Sequence, residues 1–240
     1  MLFYRIFQIY GLSREALLAC VGAAIAIVVA LVSHEVCHGL VALLNGDPTA
    51  KLSGRLSLNP DVHFDPFGLL LMLLVGFGYA RPVPVNPYNY KNRRLGDVTV
   101  SLAGVTANML LAFFNALFLV LTMQYGWNVE QNTAAYYVVI FLQFLFTYSV
   151  SINISFALFN ILPIFPLDGY RFIASFVDED SNFMRGLRNA SRYIVLAIIV
   201  LDWVFDLVPG LQIYSPLYWY FNVCGGAIER GFIYMWGLLF

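Results

Sequence analysis

The chain has 240 residues, of which 60% are hydrophobic and 11% are charged. Soluble domains are about half apolar and about one quarter charged, so this composition excludes an ordinary soluble protein and indicates an integral membrane protein. The formal net charge of -1 gives no basic field that would attract nucleic acid. Cys20, Cys37 and Cys224 all lie in apolar runs, and their spacing predicts neither a disulfide framework nor a zinc finger.

The first predicted membrane span begins with the uncharged run Ala16–Ser33 and continues through the polar residues that follow it to Leu44. A spanning helix needs about 20 mostly apolar residues, and this segment is long enough. The residues before it lack the cleavage site of a secretory signal peptide, so we expect membrane insertion to depend on the helices themselves.

A short polar region follows the first span. Thr49–Leu58 alternates loosely between apolar and polar residues, which predicts two short strands joined by a turn at Ser53-Gly54. The alternative is an irregular surface loop. Pro66–Ala80 is apolar but short, and three glycines interrupt it, so it is typical of a re-entrant segment rather than of a full span.

Two further spans are predicted from the long uncharged runs Val98–Val129 and Gln131–Leu167. Tyr193–Val208, which carries two aspartates, is a weaker fourth span, and Leu211–Ile228 is a fifth. The sequence therefore predicts an all-α polytopic membrane protein with five or six transmembrane helices, a re-entrant segment and a small β-hairpin near the functional site.

The polar residues of the first span form the sequence His34-Glu35-Val36-Cys37-His38. Residues four apart lie on the same helix face, so both imidazoles can bind one zinc ion while Glu35 reaches a water molecule at the metal. Such groups are costly in lipid unless they have a partner, which favours a functional cluster. The alternative is a set of polar side chains buried against other helices.

A catalytic zinc ion usually has three protein ligands, so a third residue must complete the site. Asp168 follows the proline-broken end of the third span, whereas Asp202, Asp206 and His63 are the alternatives. Depth favours Asp168, because it precedes a basic loop that the positive-inside rule assigns to the cytoplasm.

The third ligand also decides the predicted orientation of the chain. The two histidines reach the depth of Asp168 only if the first helix runs from outside to inside, and Pro66–Ala80 must then re-enter the membrane. The alternative topology places the N-terminus inside and makes Pro66–Ala80 a full span.

Three motifs together resemble the site-2 protease family of intramembrane zinc metalloproteases, in its compact prokaryotic branch. They are the H-E-x-x-H of the first span, L-A-G-x-x-x-N at Leu102–Asn108 and N-x-L-P-x-x-P-L-D-G at Asn160–Gly169. The resemblance covers Ser33–Phe172, whereas the last two predicted helices carry no matching motif.

The resemblance implies His34, His38 and Asp168 as ligands of a Zn²⁺ cofactor and Glu35 as the general base. It also implies that Asn160 lies close to the metal, where its amide binds the substrate carbonyl or the oxyanion. The implied activity is that of a zinc-dependent endopeptidase that hydrolyses a peptide bond within or near a transmembrane helix of a membrane protein.

Three positions differ from the family pattern. Val105 stands in place of a proline, Tyr170 in place of a glycine, and Cys37 in place of a residue that is often glycine. None of them removes a ligand or the base, so we expect the activity to be retained.

We interpret residues 1–240 as a single integral membrane domain, with a catalytic core in 15–172 and additional transmembrane helices in 190–240. The resemblance implies single-pass transmembrane proteins as substrates, the lipid bilayer as the surroundings and the cell (plasma) membrane of a prokaryote as the location. No nucleic acid partner is expected. The chain has no room for a soluble sensor domain between spans, so regulation is assigned to a membrane partner or a homo-oligomer.

Two other classes of function are the alternatives. A non-catalytic metal-binding membrane protein or zinc transporter usually carries acidic or histidine pairs on several helices, and transporters often have internal repeats. This sequence has one such cluster and no visible repeat. A chaperone-like relative that binds helices without cutting them would not need a base at Glu35.

Three smaller expectations concern the surroundings of the metal. An unwound substrate needs backbone partners in the membrane, and the predicted strands at Lys51–Leu58 offer an edge for strand addition. Asn108 is predicted either to organise the core near the metal or to form an ordinary interhelical hydrogen bond. His63 is predicted either to gate the site or to pair with a neighbouring aspartate.

Overall fold

The computed structural model describes residues 2–65, 67–68, 80–178, 180–207, 210–211 and 215–240. The α-helices with both ends among these residues are α1 (Leu2–Tyr10), α2 (Arg14–Leu44), α3 (Thr49–Leu52), α4 (Arg93–Tyr125), α5 (Ala134–Asn160), α6 (Asp168–Ala174), α7 (Asn182–Leu207), α8 (Pro216–Trp219) and α9 (Gly226–Gly237). A π-helical segment, Tyr220–Gly225, joins α8 to α9. Short 3₁₀ turns lie at Pro60–Val62, Pro87–Asn89 and Gly126–Asn128.

Three of these helices, α2, α4 and α5, are long and apolar enough to cross a membrane. Each begins at a side chain that caps its first turn. The side-chain oxygens of Ser13, Asn92 and Thr133 each accept a hydrogen bond of 3.0–3.2 Å from a backbone N–H. Such a cap satisfies one of the N–H groups that a helix leaves without an internal partner. The three helices correspond to the first three predicted spans.

The remaining predicted spans are not among these three helices. α7 coincides with most of Tyr193–Val208, but its first half is rich in arginine, and the π-helical segment interrupts the helix formed by α8 and α9. A helical membrane protein is therefore confirmed, whereas the count of five or six spans is not. The predicted re-entrant segment Pro66–Ala80 lies outside the described residues, apart from residues 67–68 and Ala80.

Small side chains allow α2 to lie close to its neighbours. The buried face of its first half carries alanines three or four residues apart, and these are Ala16, Ala19, Ala23, Ala26 and Ala30. At Gly22 a Cβ would lie 3.0 Å from the backbone nitrogen of Leu145 in α5. Helices in a membrane associate through such close approach, because lipid gives no hydrophobic drive between them. As a result α2, α4 and α5 form a three-helix core.

The other described helices pack around this core. Ile6 of α1 is buried against the first alanines of α2. On another side, the indole N–H of Trp236 in α9 donates a 2.8 Å hydrogen bond to the carbonyl of Phe113 in α4. The hydroxyl of Tyr220 donates to the carbonyl of Leu158 in α5 at 2.9 Å. These bonds attach the C-terminal helices to the same core that carries the functional residues.

The β-hairpin predicted at Thr49–Leu58 is wrong. The segment begins with the helical turn α3 and then bends at Gly54, which has a φ of 68°. The part of the chain that the structure describes contains one isolated β-bridge, between Phe64 and Ala80, and no sheet. The strand edge that Lys51–Leu58 was expected to offer to a substrate is therefore absent as well.

Asp47 explains why the chain turns helical at this point. Its buried carboxylate accepts hydrogen bonds from the N–H and the hydroxyl of Thr49, which fixes the start of α3. It also accepts from the N–H of Asn86 at 2.6 Å and from the amide of Asn89 at 2.8 Å. Burial raises the pKa of this carboxyl, but the hydrogen bonds outweigh burial and hold the pKa of Asp47 below its ordinary value. One side chain thus ties α3 to the connector that precedes α4.

We expect Asp47→Asn to loosen this connection. The introduced amide group would face the donors of Asn86 and Asn89, and a buried donor without an acceptor costs about 1–3 kcal/mol. Amide hydrogen exchange in residues 86–90 should therefore be faster in the variant at neutral pH. Because the folded pKa of Asp47 is lowered, its stabilisation is complete above the unfolded pKa of about 4 and is lost as the pH falls through the folded pKa. The difference between variant and wild type should shrink accordingly in acid.

Asp61→Asn is the matched control, because Asp61 lies exposed in the neighbouring 3₁₀ turn. It should leave hydrogen exchange in residues 86–90 unchanged. Equal exchange rates in Asp47→Asn and wild type at neutral pH would show that Asp47 does not hold the connector.

Candidate metal centre

The two histidines of the first motif lie on the buried face of α2, in line with the alanines of its first half. His34 and His38 continue the four-residue spacing of Ala26 and Ala30, and both are less than a tenth exposed. Their Nε2 atoms are 3.1 Å apart, and their ring planes meet at 82°. The helix therefore directs both rings at one point in the core.

Asp168 reaches the same point from the first residue of α6. α5 ends before the prolines that follow it, and the turn they form brings the chain back to the core. Oδ2 of Asp168 lies 3.2 Å from Nε2 of His34 and 3.1 Å from Nε2 of His38. Gly169 permits this return, because a Cβ there would lie 2.2 Å from the carbonyl oxygen of Ile161.

The hydrogen bonds on the far side of each ring fix the protons of the two imidazoles. Nδ1 of His38 lies 2.7 Å from the carbonyl oxygen of Val100, and a carbonyl can only accept. Nδ1 of His34 lies 2.7 Å from Oδ1 of Asn108, whose amide nitrogen donates elsewhere. Both neutral rings therefore carry their proton on Nδ1 and present a lone pair at Nε2.

Three lone pairs thus face one another in a buried site. The Oδ2 atom of Asp168 is fully buried and has no hydrogen-bond partner, since neither neighbouring Nε2 holds a proton to donate. Such an arrangement is repulsive in a medium of low polarity unless a cation lies between the three atoms. The geometry therefore indicates a metal site formed by two imidazoles and a carboxylate.

The distances between these groups fit a zinc ion. Zinc binds histidine nitrogen and carboxylate oxygen at about 2.0–2.2 Å, which places the ligands of a tetrahedral site about 3.3 Å apart. The three ligand atoms here are 3.1–3.2 Å apart. Three protein ligands leave one position for water or substrate, as in catalytic rather than structural zinc sites.

The second motif, L-A-G-x-x-x-N, supports the His34 ring from α4. A Cβ at Gly104 would lie 2.4 Å from a ring carbon of His34, so this position leaves room for the imidazole. One helical turn later, Asn108 accepts from the same ring. Its amide donates to the carbonyl of Ala30 at 3.0 Å and to Oδ1 of Asn153 in α5 at 2.8 Å. Of the two roles predicted for Asn108, the structure supports the organisation of the core at the metal.

Glu35 lies beside the cluster rather than in it. Its Oε2 accepts a 2.9 Å hydrogen bond from the N–H of Val83, in the connector before α4. The connector is itself held by Arg55, whose Nη2 donates to the carbonyls of Arg81 at 2.6 Å and Pro82 at 3.3 Å. The carboxylate is therefore positioned by a backbone N–H and is not a member of the metal cluster.

The other predicted site residues have hydrogen-bond partners of their own. The amide of Asn160, the last residue of α5, donates to the carbonyl of Phe156 at 3.0 Å. His63 is buried, and its Nε2 donates to the carbonyl of Ser57 at 2.7 Å rather than pairing with an aspartate. Asp202 accepts from the hydroxyl of Ser215 at 2.7 Å, and the side chain of Asp206 lies outside the described residues. Among the groups described, Asp168 alone joins the two histidines.

Two of the three departures from the family pattern, Val105 and Tyr170, leave the cluster intact. Val105 is buried within an unbroken α4. Tyr170 is also buried, and its hydroxyl accepts a 3.1 Å hydrogen bond from Nε of Arg188. The close backbone approach beside Asp168 falls at Gly169 and not at Tyr170, so a larger side chain there is accommodated.

Three residues that hold the site in place, Val83, Val100 and Gly104, were not predicted from the sequence. Val83 and Val100 act through backbone N–H and carbonyl groups, for which side-chain identity gives no signal. Gly104 belongs to the L-A-G-x-x-x-N motif, but its contact with His34 depends on how α4 packs against α2.

Comparison with known proteins agrees with this geometry. Residues 22–201, most of the chain, match the model of a family described as Peptidase family M50. A protein of Bacillus subtilis (strain 168) named "Putative zinc metalloprotease YwhC" is 45% identical over 153 residues, which cover 64% of this chain and 68% of that protein. No solved structure matches the chain.

The matched residues include both histidines, the supporting motif of α4 and Asp168. The match favours a protease over a zinc transporter or a non-catalytic metal-binding protein. The chain therefore belongs to Peptidase family M50, the site-2 protease family of zinc-dependent intramembrane metalloproteases.

Proposed function

We propose that His34, His38 and Asp168 bind the catalytic zinc ion and that Glu35 is the general base. The observation that carries this assignment is the convergence of three buried lone pairs within 3.1–3.2 Å of one another. The carboxylate of Glu35 lies beside these three groups but is not one of them. Metal-assisted hydrolysis requires such a separate base in addition to the metal ligands.

When bound, zinc supplies a Lewis acid that polarises the scissile carbonyl and activates a water molecule near neutral pH. Glu35 takes the proton of the attacking water and then donates it to the leaving amine. Because the N–H of Val83 already holds Oε2 of Glu35, the base is in place before the substrate arrives.

Asn160 is proposed to donate a hydrogen bond to the oxyanion. Its amide is half-buried at the end of α5, in the turn that leads to Asp168. Its amide nitrogen carries two N–H groups, so one can keep the bond to the carbonyl of Phe156 while the other donates to the substrate oxygen.

The proposed substrates are single-pass membrane proteins, cut within or near the transmembrane helix. The cluster lies among three helices of spanning length, so a substrate must approach through the lipid. A peptide bond in a helix is shielded, and the substrate helix must unwind where it meets the site. Regulation is assigned to a membrane partner or to a homo-oligomer.

The proposed setting is the cell membrane of a prokaryote, with the N-terminus outside and five or six spans. Support comes from the arginines of the connector before α4 and of α6 and α7, which the positive-inside rule assigns to the cytoplasm. The metal cluster, which includes the first residue of α6, then lies towards the cytoplasmic side.

Glu35→Gln is expected to retain zinc and to lose cleavage by at least about 100-fold, the usual contribution of a general base. The glutamine oxygen can still accept from the N–H of Val83, so the substitution removes basicity and keeps the geometry. The measurement is cleavage of candidate single-pass proteins in lipid vesicles, with zinc content determined on the same samples.

Two variants complete this experiment. Glu15→Gln, in the first turn of the same helix, should cleave at the wild-type rate. Asp168→Ala should lose both zinc and cleavage. Wild-type cleavage by Glu35→Gln would exclude Glu35 as the base, and full zinc content in Asp168→Ala would exclude Asp168 as a ligand.

Asn108→Leu is expected to weaken zinc binding by about 10–100-fold, the usual effect of removing a group that orients a metal ligand. The substitution keeps the branched shape of the side chain but leaves Nδ1 of His34 without an acceptor. Asn115→Leu is the matched control, because the amide of Asn115 donates only within α4, to Leu111. Competition with a chelator of known affinity measures both variants, and equal affinity in the two would show that Asn108 does not orient the ligand.

A further inference from the structure

A cavity of about 210 Å³ lies next to the metal centre and takes no part in the proposed chemistry. It is formed by the first turns of α4, by α6 and by the 3₁₀ turn at Pro87–Asn89. Two parts of its lining also hold residues of the metal centre. Val100 lines it and supplies the carbonyl that fixes His38, and α6 begins at Asp168.

The lining of the cavity has an excess of positive charge. Arg93, Arg171 and Asp97 all face it. Nε of Arg93 lies 2.9 Å from the carboxylate of Asp97, so these two charges are paired. The Arg171 guanidinium has no ion pair or hydrogen bond among the described residues. One cationic group is therefore left for a ligand.

Tyr90 places a second donor in the same wall. Its side chain packs against Gly96 and is only 8% exposed, but its hydroxyl has no hydrogen-bond partner in the described part of the chain. Burial, with help from the carboxylates of Asp47 and Asp97, raises the pKa of Tyr90 to about 12, so the phenol keeps its proton. The hydroxyl oxygen is not among the buried side-chain atoms that lack a partner, so it is open to the cavity, where an acceptor on a ligand can bond to it.

Two serines in the wall present acceptors instead. The hydroxyl of Ser101 donates to the carbonyl of Val98 at 2.9 Å, and that of Ser175 donates to the carbonyl of Phe172 at 2.6 Å. Their protons are thus committed to their own helices, and the lone pairs that remain can accept from a hydroxyl group on a ligand.

We propose that this cavity binds a glycerophosphate group, either free or as the headgroup of an anionic phospholipid. Arg171 and the Tyr90 hydroxyl donate to the phosphate oxygens, and Ser101 and Ser175 accept from the glycerol hydroxyls. A guanidinium and a phenol are suitable donors for phosphate, and the acceptors distinguish glycerol from choline. Arg93 begins a spanning helix, so the cavity lies where a span ends and lipid headgroups are found.

The test uses the full-length protein purified in a neutral detergent. Binding of sn-glycerol 3-phosphate is measured by titration calorimetry, and binding of short-chain phosphatidylglycerol and phosphatidylcholine by native mass spectrometry, at fixed ionic strength. Arg171→Gln should weaken binding of the glycerophosphate probes by at least about 10-fold, since it removes a charge-assisted donor. Arg185→Gln makes the same charge change on an exposed turn of α7 and should have no effect.

Tyr90→Phe provides an independent test, because it removes only the hydroxyl and keeps the packing against Gly96. It should weaken the same binding even if Arg171→Gln proves unstable in thermal unfolding. Binding of free glycerol phosphate identifies a soluble ligand, whereas binding of phosphatidylglycerol alone identifies a lipid site. Absence of binding by every probe, binding of both lipids with equal affinity, or affinity unchanged in both variants would overturn the proposal.

Discussion

The structure depends on one constraint, which is that three lone pairs meet in the apolar interior of a helix bundle. His34, His38 and Asp168 each place an unprotonated atom at the same point. Water cannot screen these groups there, and no neighbouring proton satisfies Oδ2 of Asp168. A cation is the physical solution, and family membership identifies that cation as zinc. The rest of the fold can be understood as the means of holding these atoms together.

That support is a chain of amides that joins the three long helices. Asn108 of α4 links the His34 ring and the carbonyl of Ala30 in α2 to Asn153 of α5, and Asn153 donates onward to the carbonyl of Ser149 at 2.8 Å. Asn108 and Asn153 are fully buried. Bonds between helices require close backbones, which the alanine face of α2 and the glycines at its contacts allow. The hydrogen bonds between the helices therefore depend on the small residues that let the helices lie close together.

The residues that bind or act through side chains could be predicted from the sequence, whereas the groups that orient them could not. The four-residue histidine spacing fixes a common helix face, and the prolines before Asp168 indicate a chain that turns back into the core. Gly104 acts by its lack of a side chain against a ring of another helix, so its role depends on packing. The hairpin prediction is wrong because the alternation at Thr49–Leu58 is weak, and the hydrogen bonds of Asp47 to Thr49 begin a helical turn instead. Asn160 stays a prediction, since its present bond lies within its own helix.

The repulsion between the three ligands has a mechanical consequence. The histidines belong to a long span, but the carboxylate belongs to a helix of only seven residues that follows a proline-containing turn. An ion bound by these three residues would connect the long helix α2 to the short helix α6, and its binding free energy would also stabilise the position of α6. Removal of the ion would leave the lone pairs of two neutral imidazoles and one carboxylate facing each other without a cation. Loss of the ion would then loosen the turn between α5 and α6 as well as stop the reaction, while the amide bonds between α2, α4 and α5 would remain.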